Sequence, residues 1–294
     1  MNKHILCLCI MVIFCAMAAS AHETFIRPLS GWVEVGDVAV LPVGSGHNTT
    51  SQELPFGYVS LNITSQSGSK ETHVFSNKTQ TDGFWKVYSF DVDEPGLYVI
   101  DVYHTEGFWT HIITNPPDEG FWENKYVDEI NFSSLNKTGW ADNWYVERSY
   151  PKYCFGKAFL ACAGSDFAVA SKPVSQWFEL VPLDNITKIG KGDFQFQVLY
   201  EGKPFDNITV QAEKVGNDTM IEGVTDTDGK VVLNLRDSAE LSEWIIWADS
   251  AMDTRIVQAK DLPKGENSKE KCYVGPVYRA ALVLRSDYIK SITD

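Results

Sequence analysis

The chain has 294 residues, 44% of them hydrophobic and 22% charged, with a formal net charge of −14. That length accommodates two domains, each large enough to bury a core. The acidic balance argues against nucleic-acid binding, which relies on clustered Lys and Arg to replace phosphate counterions, and is compatible with gathering cations.

Lys3 and His4 open the chain, Ile5 to Met17 is an almost unbroken apolar run, and Ala19-Ser20-Ala21 offers the small residues that a signal peptidase reads. The run is too short to span a bilayer comfortably, so residues 1–21 read as a removed secretory signal. Later apolar runs are shorter than a membrane span, so the expected location is extracytoplasmic (periplasm or cell surface) without a transmembrane anchor. Cleavage after Ala21 leaves His22 with both an α-amine and an imidazole. Their reference pKa values, about 7.7–8 and about 6.5, make both nitrogens neutral donors at small cost. Such donors suit nickel, copper, cobalt and zinc.

The mature chain is β-rich with frequent turn signals. Val33–Val43, Tyr58–Thr64, Thr72–Ser76, Trp85–Val92 and Leu97–Tyr103 read as short strands separated by Gly, Pro and Asp. Pro95-Gly96 and Asp82-Gly83 are turns, because Pro presets φ and Gly permits positive φ. From about residue 115 to 153 the character changes to an aromatic-rich insertion holding Phe121, Trp122, Trp140, Trp144, Tyr145 and Tyr150, expected to be irregular and partly helical. Strands resume at Phe155–Ala161 and Trp177–Val181. Asp193–Tyr200, Ile208–Lys214, Met220–Thr225, Lys230–Leu235, Glu243–Ala248, Arg255–Gln258 and Tyr278–Arg285 then give seven more, the number and spacing of an immunoglobulin-like sandwich. The predicted class is all-β: two immunoglobulin-like β-sandwich domains, 22–175 and 176–294, with the insertion in or after the first.

Eight N-x-S/T sequons, at Asn48, Asn62, Asn77, Asn131, Asn136, Asn185, Asn207 and Asn217, suggest a secreted glycoprotein. Cys154, Cys162 and Cys272 survive signal removal, so at most one internal disulfide forms. If Cys154 and Cys162 share one strand they lie about 25 Å apart and cannot bond; Cys272 paired with either is the alternative.

Five histidines remain after cleavage, His22, His47, His73, His104 and His111, all in the first sandwich. His47 ends the flexible turn Val43-Gly44-Ser45-Gly46 at a domain edge. His73 reads as exposed and idle. Tyr103 to His111 reads as a hairpin whose register decides its meaning. A four-residue loop sets His104 and His111 on one face, about 7–8 Å apart, whereas a three-residue loop sends them to opposite faces. His22, His47 and one or both hairpin histidines could then converge as metal ligands, with Glu23 or Glu106 as oxygen donors. No His-x-x-x-His helix, Cys-x-x-Cys pair, phosphate loop or nucleophile elbow is present. Asp226-Thr227-Asp228-Gly229 lacks the downstream glutamate of a calcium loop and reads as a hairpin turn. No catalytic set stands out, and the protein reads as a non-enzyme.

Several segments resemble a family of secreted proteins described as the periplasmic component of nickel/cobalt ABC-type transport (NikM-like). Ala21-His22-Glu23-Thr24-Phe25-Ile26 resembles that family's start, and Gly46-His47 its glycine–histidine loop. Pro95-Gly96-Leu97-Tyr98-Val99 and Gly107-Phe108-Trp109-Thr110 resemble its central hairpin. Tyr153 to Leu160 resembles its lysine–alanine strand, and Phe178 to Asn185 its domain junction. Val198 to Pro204 and Thr225 to Lys230 resemble parts of its second sandwich. The resemblance implies a divalent-metal role for His22 and His47, with nickel or cobalt as cargo (copper or zinc as alternatives) and a membrane ABC/ECF-type metal transporter as partner. The membership of His104 and His111 rests on the hairpin geometry alone. The rival reading is a cell-envelope adhesion module using Trp109, Trp122, Trp140 and Trp144 on glycan or protein, as amphipathic rings in an aromatic-rich segment allow.

Overall fold

The computed structural model describes residues 23–46, 54–76, 81–114, 120–126, 129–131, 144–217, 220–239, 241–250, 253, 255 and 275–289. Within them the regular structure is all β apart from short 3-10 turns, and no helix is long and apolar enough to cross a membrane. The leader, His22, His47, Trp140, Cys272 and most of the strand expected at Arg255–Gln258 lie outside the described residues.

The first half supplies β1 (Glu23–Ile26), β2 (Val38–Gly46), β3 (Tyr58–Thr64), β4 (Lys70–Val74), β5 (Thr81–Asp82) and β6 (Trp85–Asp91). Two eighteen-residue strands follow, β7 (Leu97–Thr114) and β9 (Trp144–Ala161), with the short β8 (Gly120–Glu123) between them in sequence. The second half contributes β10 (Phe178–Pro182), β11 (Asp193–Tyr200), β12 (Lys203–Pro204), β13 (Thr209–Lys214) and β14 (Met220–Val224). It ends with β15 (Lys230–Asn234), β16 (Glu243–Asp249) and β17 (Val277–Arg285).

These strands make three sheets. A nine-stranded central sheet runs β14-β13-β16-β17-β9-β7-β3-β4, with β8 also paired to β7. A second sheet, β1-β2-β6-β5, packs on one of its faces. A third, β10-β11-β12 with β15 on β11, packs on the other. The two halves of the chain share the central sheet through one parallel pairing, Lys152–Lys157 of β9 against Val277–Leu282 of β17.

Strand alternation sorts side chains between the two cores. Tyr98, Ile100 and Val102 point to the core shared with Phe25, Leu41 and Val43, whereas Leu97 and Val99 point to the core shared with Phe194, Phe196 and Leu233. Each fully buried side chain of this kind contributes about 1.5–3 kcal/mol of transfer free energy. A glycine lets the β1 sheet approach closely. A Cβ on Gly156 of β9 would sit 2.6 Å from Val102 Cγ1 and 3.0 Å from the Thr24 carbonyl, so only hydrogen fits between β9 and β1.

The hairpin expected at Tyr103–His111 does not form. The chain runs straight through as β7, paired antiparallel with β9 from Leu97–Ala161 to Thr114–Trp144. Glu106-Gly107 is a β-bulge rather than a turn, with Gly107 at φ +80° where a Cβ would be strained. A full-length partner strand satisfies the backbone groups on both sides of the bulge, which a tight turn would leave to solvent. The described parts of the aromatic insertion are more strand than expected: β8 and the first half of β9 extend the sheet as an arm, and the helical content is a 3-10 turn at Glu129. Cys154 and Cys162 fall along and just past β9 and are both buried free thiols.

Candidate metal centre

β1 lies against the end of β2 with Glu23 opposite Gly46 and Thr24 opposite Ser45. From β1 the Thr24 hydroxyl reaches inward to His104 Nδ1 at 2.5 Å. The other ring nitrogen, Nε2, lies 2.5 Å from the Phe56 carbonyl oxygen. A carbonyl only accepts, so Nε2 carries the proton, and Nδ1 accepts from the Thr24 hydroxyl. His104 is completely buried, and burial lowers its pKa to about 4, so the neutral tautomer persists through physiological pH.

Beside it, the bulge turns Glu106 inward onto the same sheet face. Glu106 Oε1 accepts from Lys152 Nζ at 2.7 Å and Oε2 from Trp109 Nε1 at 2.7 Å. Both members of this ion pair are sealed from solvent, with side-chain exposures of 0% for Glu106 and 1% for Lys152. Cys154 stands directly across from His104 in the ladder, and burial raises its thiol to about 12, which keeps it protonated. Potential ligand atoms of His104, Glu106 and Cys154 lie within 4.8 Å of one another.

That trio does not offer a ready cation cage. Both imidazole nitrogens and both carboxylate oxygens already have partners, the sulfur is a thiol, and the Lys152 ammonium sits where a cation would have to go. The arrangement is a satisfied polar network that fixes β1 onto the central sheet, the condition under which buried polar groups are tolerated. A second set of charges borders it. Arg279 of β17 pairs with Asp249 at 2.6 Å and reaches Glu23 at 3.4 Å. Burial, reinforced by the neighbouring Asp249 carboxylate, pushes the Glu23 pKa up to about 7.

His111 is elsewhere. The bulge restores it to the same sheet face as His104, but their partners on β9, Arg148 and Cys154, are six residues apart, or about 20 Å along the strand. His111 Nδ1 pairs with Glu147 Oε2 at 2.7 Å, and the ring stacks on Trp122 at 4.3 Å. The structure therefore does not bring His104 and His111 together. His73 is engaged rather than idle, stacked on Tyr88 at 4.2 Å across the two facing sheets. Trp109 and Trp122 pack edge to face at 6.2 Å within the arm, with the Trp109 indole committed to Glu106.

Sequence reasoning did not single out Thr24, Lys152 or Cys154 as members of this network. A signal existed only for Thr24, two residues from the mature start. Lys152 and Cys154 alternate with aromatic residues, and nothing local says which face of β9 is buried.

The domain of unknown function (DUF4198) matches residues 19–239. The chain belongs to the DUF4198 family. The DUF4198 match includes His22, His47, His104, His111 and the Thr24–Glu106–Lys152–Cys154 network, and stops short of Asp249 and Arg279. No curated protein matches the chain. Solved structures similar to it include the D0-D1 domain of intimin, at 8% identity over 89% of this chain and 97% of that one, TM-score 0.19. A two-domain fibronectin type III segment from chicken tenascin matches at 10% identity over 78% and 90%, TM-score 0.19. Escherichia coli α2-macroglobulin matches at 9% identity over 90% and 20%, TM-score 0.24.

Proposed function

We propose that this DUF4198 protein is an extracytoplasmic carrier of a divalent transition metal, nickel or cobalt, which it captures at the start of the mature chain and presents to a membrane uptake system. The observation that carries this reading is the β1–β2 ladder. Its last described pair is Glu23 opposite Gly46, and the next residues in sequence on the two strands are His22 and His47. Below this end, the Thr24–His104 hydrogen bond ties β1 to β7. His104 is then a positioning residue and not a ligand, and His111 takes no part. The ligands are the His22 amine and imidazole and the His47 imidazole, with Glu23 as a carboxylate near the ion.

Capture of this kind weakens as the pH falls toward 5, because protons compete for the same nitrogens. Intrinsic affinity favours copper, so selection of nickel or cobalt rests on site geometry and metal supply. The resemblance of the chain's start, its Gly46-His47 loop and its later segments to nickel/cobalt transport components supports the same cargo.

The test is isothermal titration of protein processed to His22 with Ni²⁺, Co²⁺, Cu²⁺ and Zn²⁺, beside a form carrying one extra residue before His22. Tight binding that the extension abolishes supports capture by the terminal histidine. Binding indifferent to the extension, or none, overturns it.

A further inference from the structure

A second concave site lies on the opposite face of the central sheet, away from β1. There the third sheet covers β17, β9 and the Leu97–Val99 start of β7, and a row of tyrosines emerges from beneath it. Tyr278, Tyr153, Tyr103 and Tyr58 stand on four neighbouring strands with successive ring centroids 5.6, 6.4 and 6.0 Å apart. The Tyr103 and Tyr153 rings are inclined by only 18° and stack on each other as part of an aromatic platform. Trp177, 59% exposed, rises at the mouth next to Tyr278, and Tyr58 is 48% exposed at the far end. A cavity of about 370 Å³ lies over this platform, toward the small end of ligand pockets.

One wall is polar and held in place. Asp101 Oδ1 accepts from Asn62 Nδ2 at 2.9 Å, and Asn62 Oδ1 accepts in turn from the Thr72 hydroxyl at 2.8 Å. Asp101 Oδ2 takes no hydrogen bond from the described residues, and the carboxylate lines the cavity with Lys70 across from it. Across the cavity the loop carrying Trp177 is fixed by Val174 N–H donating to Glu179 Oε1 at 2.8 Å, and by Ser175 in the left-handed region at φ 68°.

We infer that this cleft is a binding site for a neutral saccharide, whose pyranose ring stacks on Tyr103, Tyr153 and Trp177 while its hydroxyls donate to Asp101 and accept from Lys70. An aromatic lining of Tyr103, Tyr153, Phe155 and Trp177 suits a ring with an apolar face. One acid and one base, with no charge excess, suit a hydroxyl-rich ligand that both donates and accepts. A polyproline peptide also docks on aromatic grooves, but its prolines carry no N–H to donate to the Asp101 carboxylate.

The test is titration of the full chain with maltohexaose, cellohexaose and chitohexaose in EDTA, which silences the metal site, followed by tryptophan fluorescence and calorimetry. At least one of the three should bind. Trp177→Ala and Tyr153→Ala should each weaken it about tenfold or more, as loss of a stacking face does. Asp101→Asn, which keeps the shape, should weaken it about tenfold through loss of a charged acceptor. Trp177 is exposed, so its variant keeps the wild-type melting temperature and separates lost binding from lost folding. Absence of binding to all three sugars, binding unchanged in Trp177→Ala and Asp101→Asn, or binding of a proline-rich peptide in place of the sugars would overturn the assignment.

Discussion

Replacing Glu106 with leucine deletes one half of an ion pair that no solvent reaches. Lys152, itself buried, then loses the carboxylate to which its ammonium donates, a defect that costs about 3–5 kcal/mol. The Trp109 indole N–H, which donates to Glu106 Oε2 at 2.7 Å, also loses its acceptor, adding about 1 kcal/mol or more. A total near 4–6 kcal/mol is a large share of a folding free energy of about 5–15 kcal/mol, and lowers the melting temperature by about 10 °C or more. Removing both charges together in Glu106→Leu/Lys152→Met replaces the pair with apolar volume, which for buried pairs is neutral or stabilising. Urea unfolding of the two single variants and the double variant therefore gives a coupling free energy of about 2 kcal/mol or more, with the double variant more stable than Glu106→Leu. The reasoning fails if Glu106→Leu costs less than about 1 kcal/mol, or if the double variant loses the sum of the two singles.

The remaining predictions concern pH, packing and the metal. His104 has a pKa of about 4 when folded and about 6.5 when unfolded. Between these values the unfolded chain binds the extra proton, so acidification destabilises the fold by up to about 3 kcal/mol. Glu23, raised from 4.5 to about 7, works in the opposite direction. Its contribution is present below pH 4.5 and is lost as the pH rises to 7, because the folded state holds the proton in that window. The two slopes oppose each other from about pH 4.5 to 6.5, so Glu23→Gln should steepen the acid loss of stability there, read as urea midpoints across that range. Gly156→Ala should cost about 1–3 kcal/mol by forcing a methyl between β9 and β1, measured by denaturant unfolding. His47→Ala should abolish nickel binding in calorimetry and His111→Ala should leave it unchanged; the reverse pattern would move the site to the arm.

Much of the local fold is legible in the chain. Tyr58–Thr64 and Asp193–Tyr200 are strands at the residues expected, because each alternates apolar and polar residues between turn signals. Asp228-Gly229 does turn the chain, with Asp226 Oδ1 accepting from the Asp228 and Lys230 amides, but the expected hairpin does not form: β14 pairs with β13 in the central sheet and β15 with β11 in the third. β1 was not legible: four residues, Glu23–Ile26, are too few to show a period. Glu106-Gly107 misled because the same dipeptide serves a turn or a bulge, and the choice depends on β9, whose paired residues lie about 40 positions later. The candidate centre was partly legible. His22, His47 and Glu106 are apparent as chemistry-bearing residues, whereas the distance between His104 and His111 depends on whether the chain reverses between them.

By itself the sequence determined the β class, the strand periods and the concentration of histidine in the first half, because alternation and composition act over a few neighbouring residues. Tertiary structure alone decided that β9 and β17 join the halves into one sheet, that Lys152, Glu106 and Arg279 are internal, and that tyrosines from four strands adjoin in one row. Those outcomes depend on pairing between segments far apart in sequence, 46 residues for Glu106 and Lys152 and 125 for Lys152 and Val277. In a strand, a lysine facing solvent and a lysine buried on an acid have the same local pattern; only the partner sheet tells them apart.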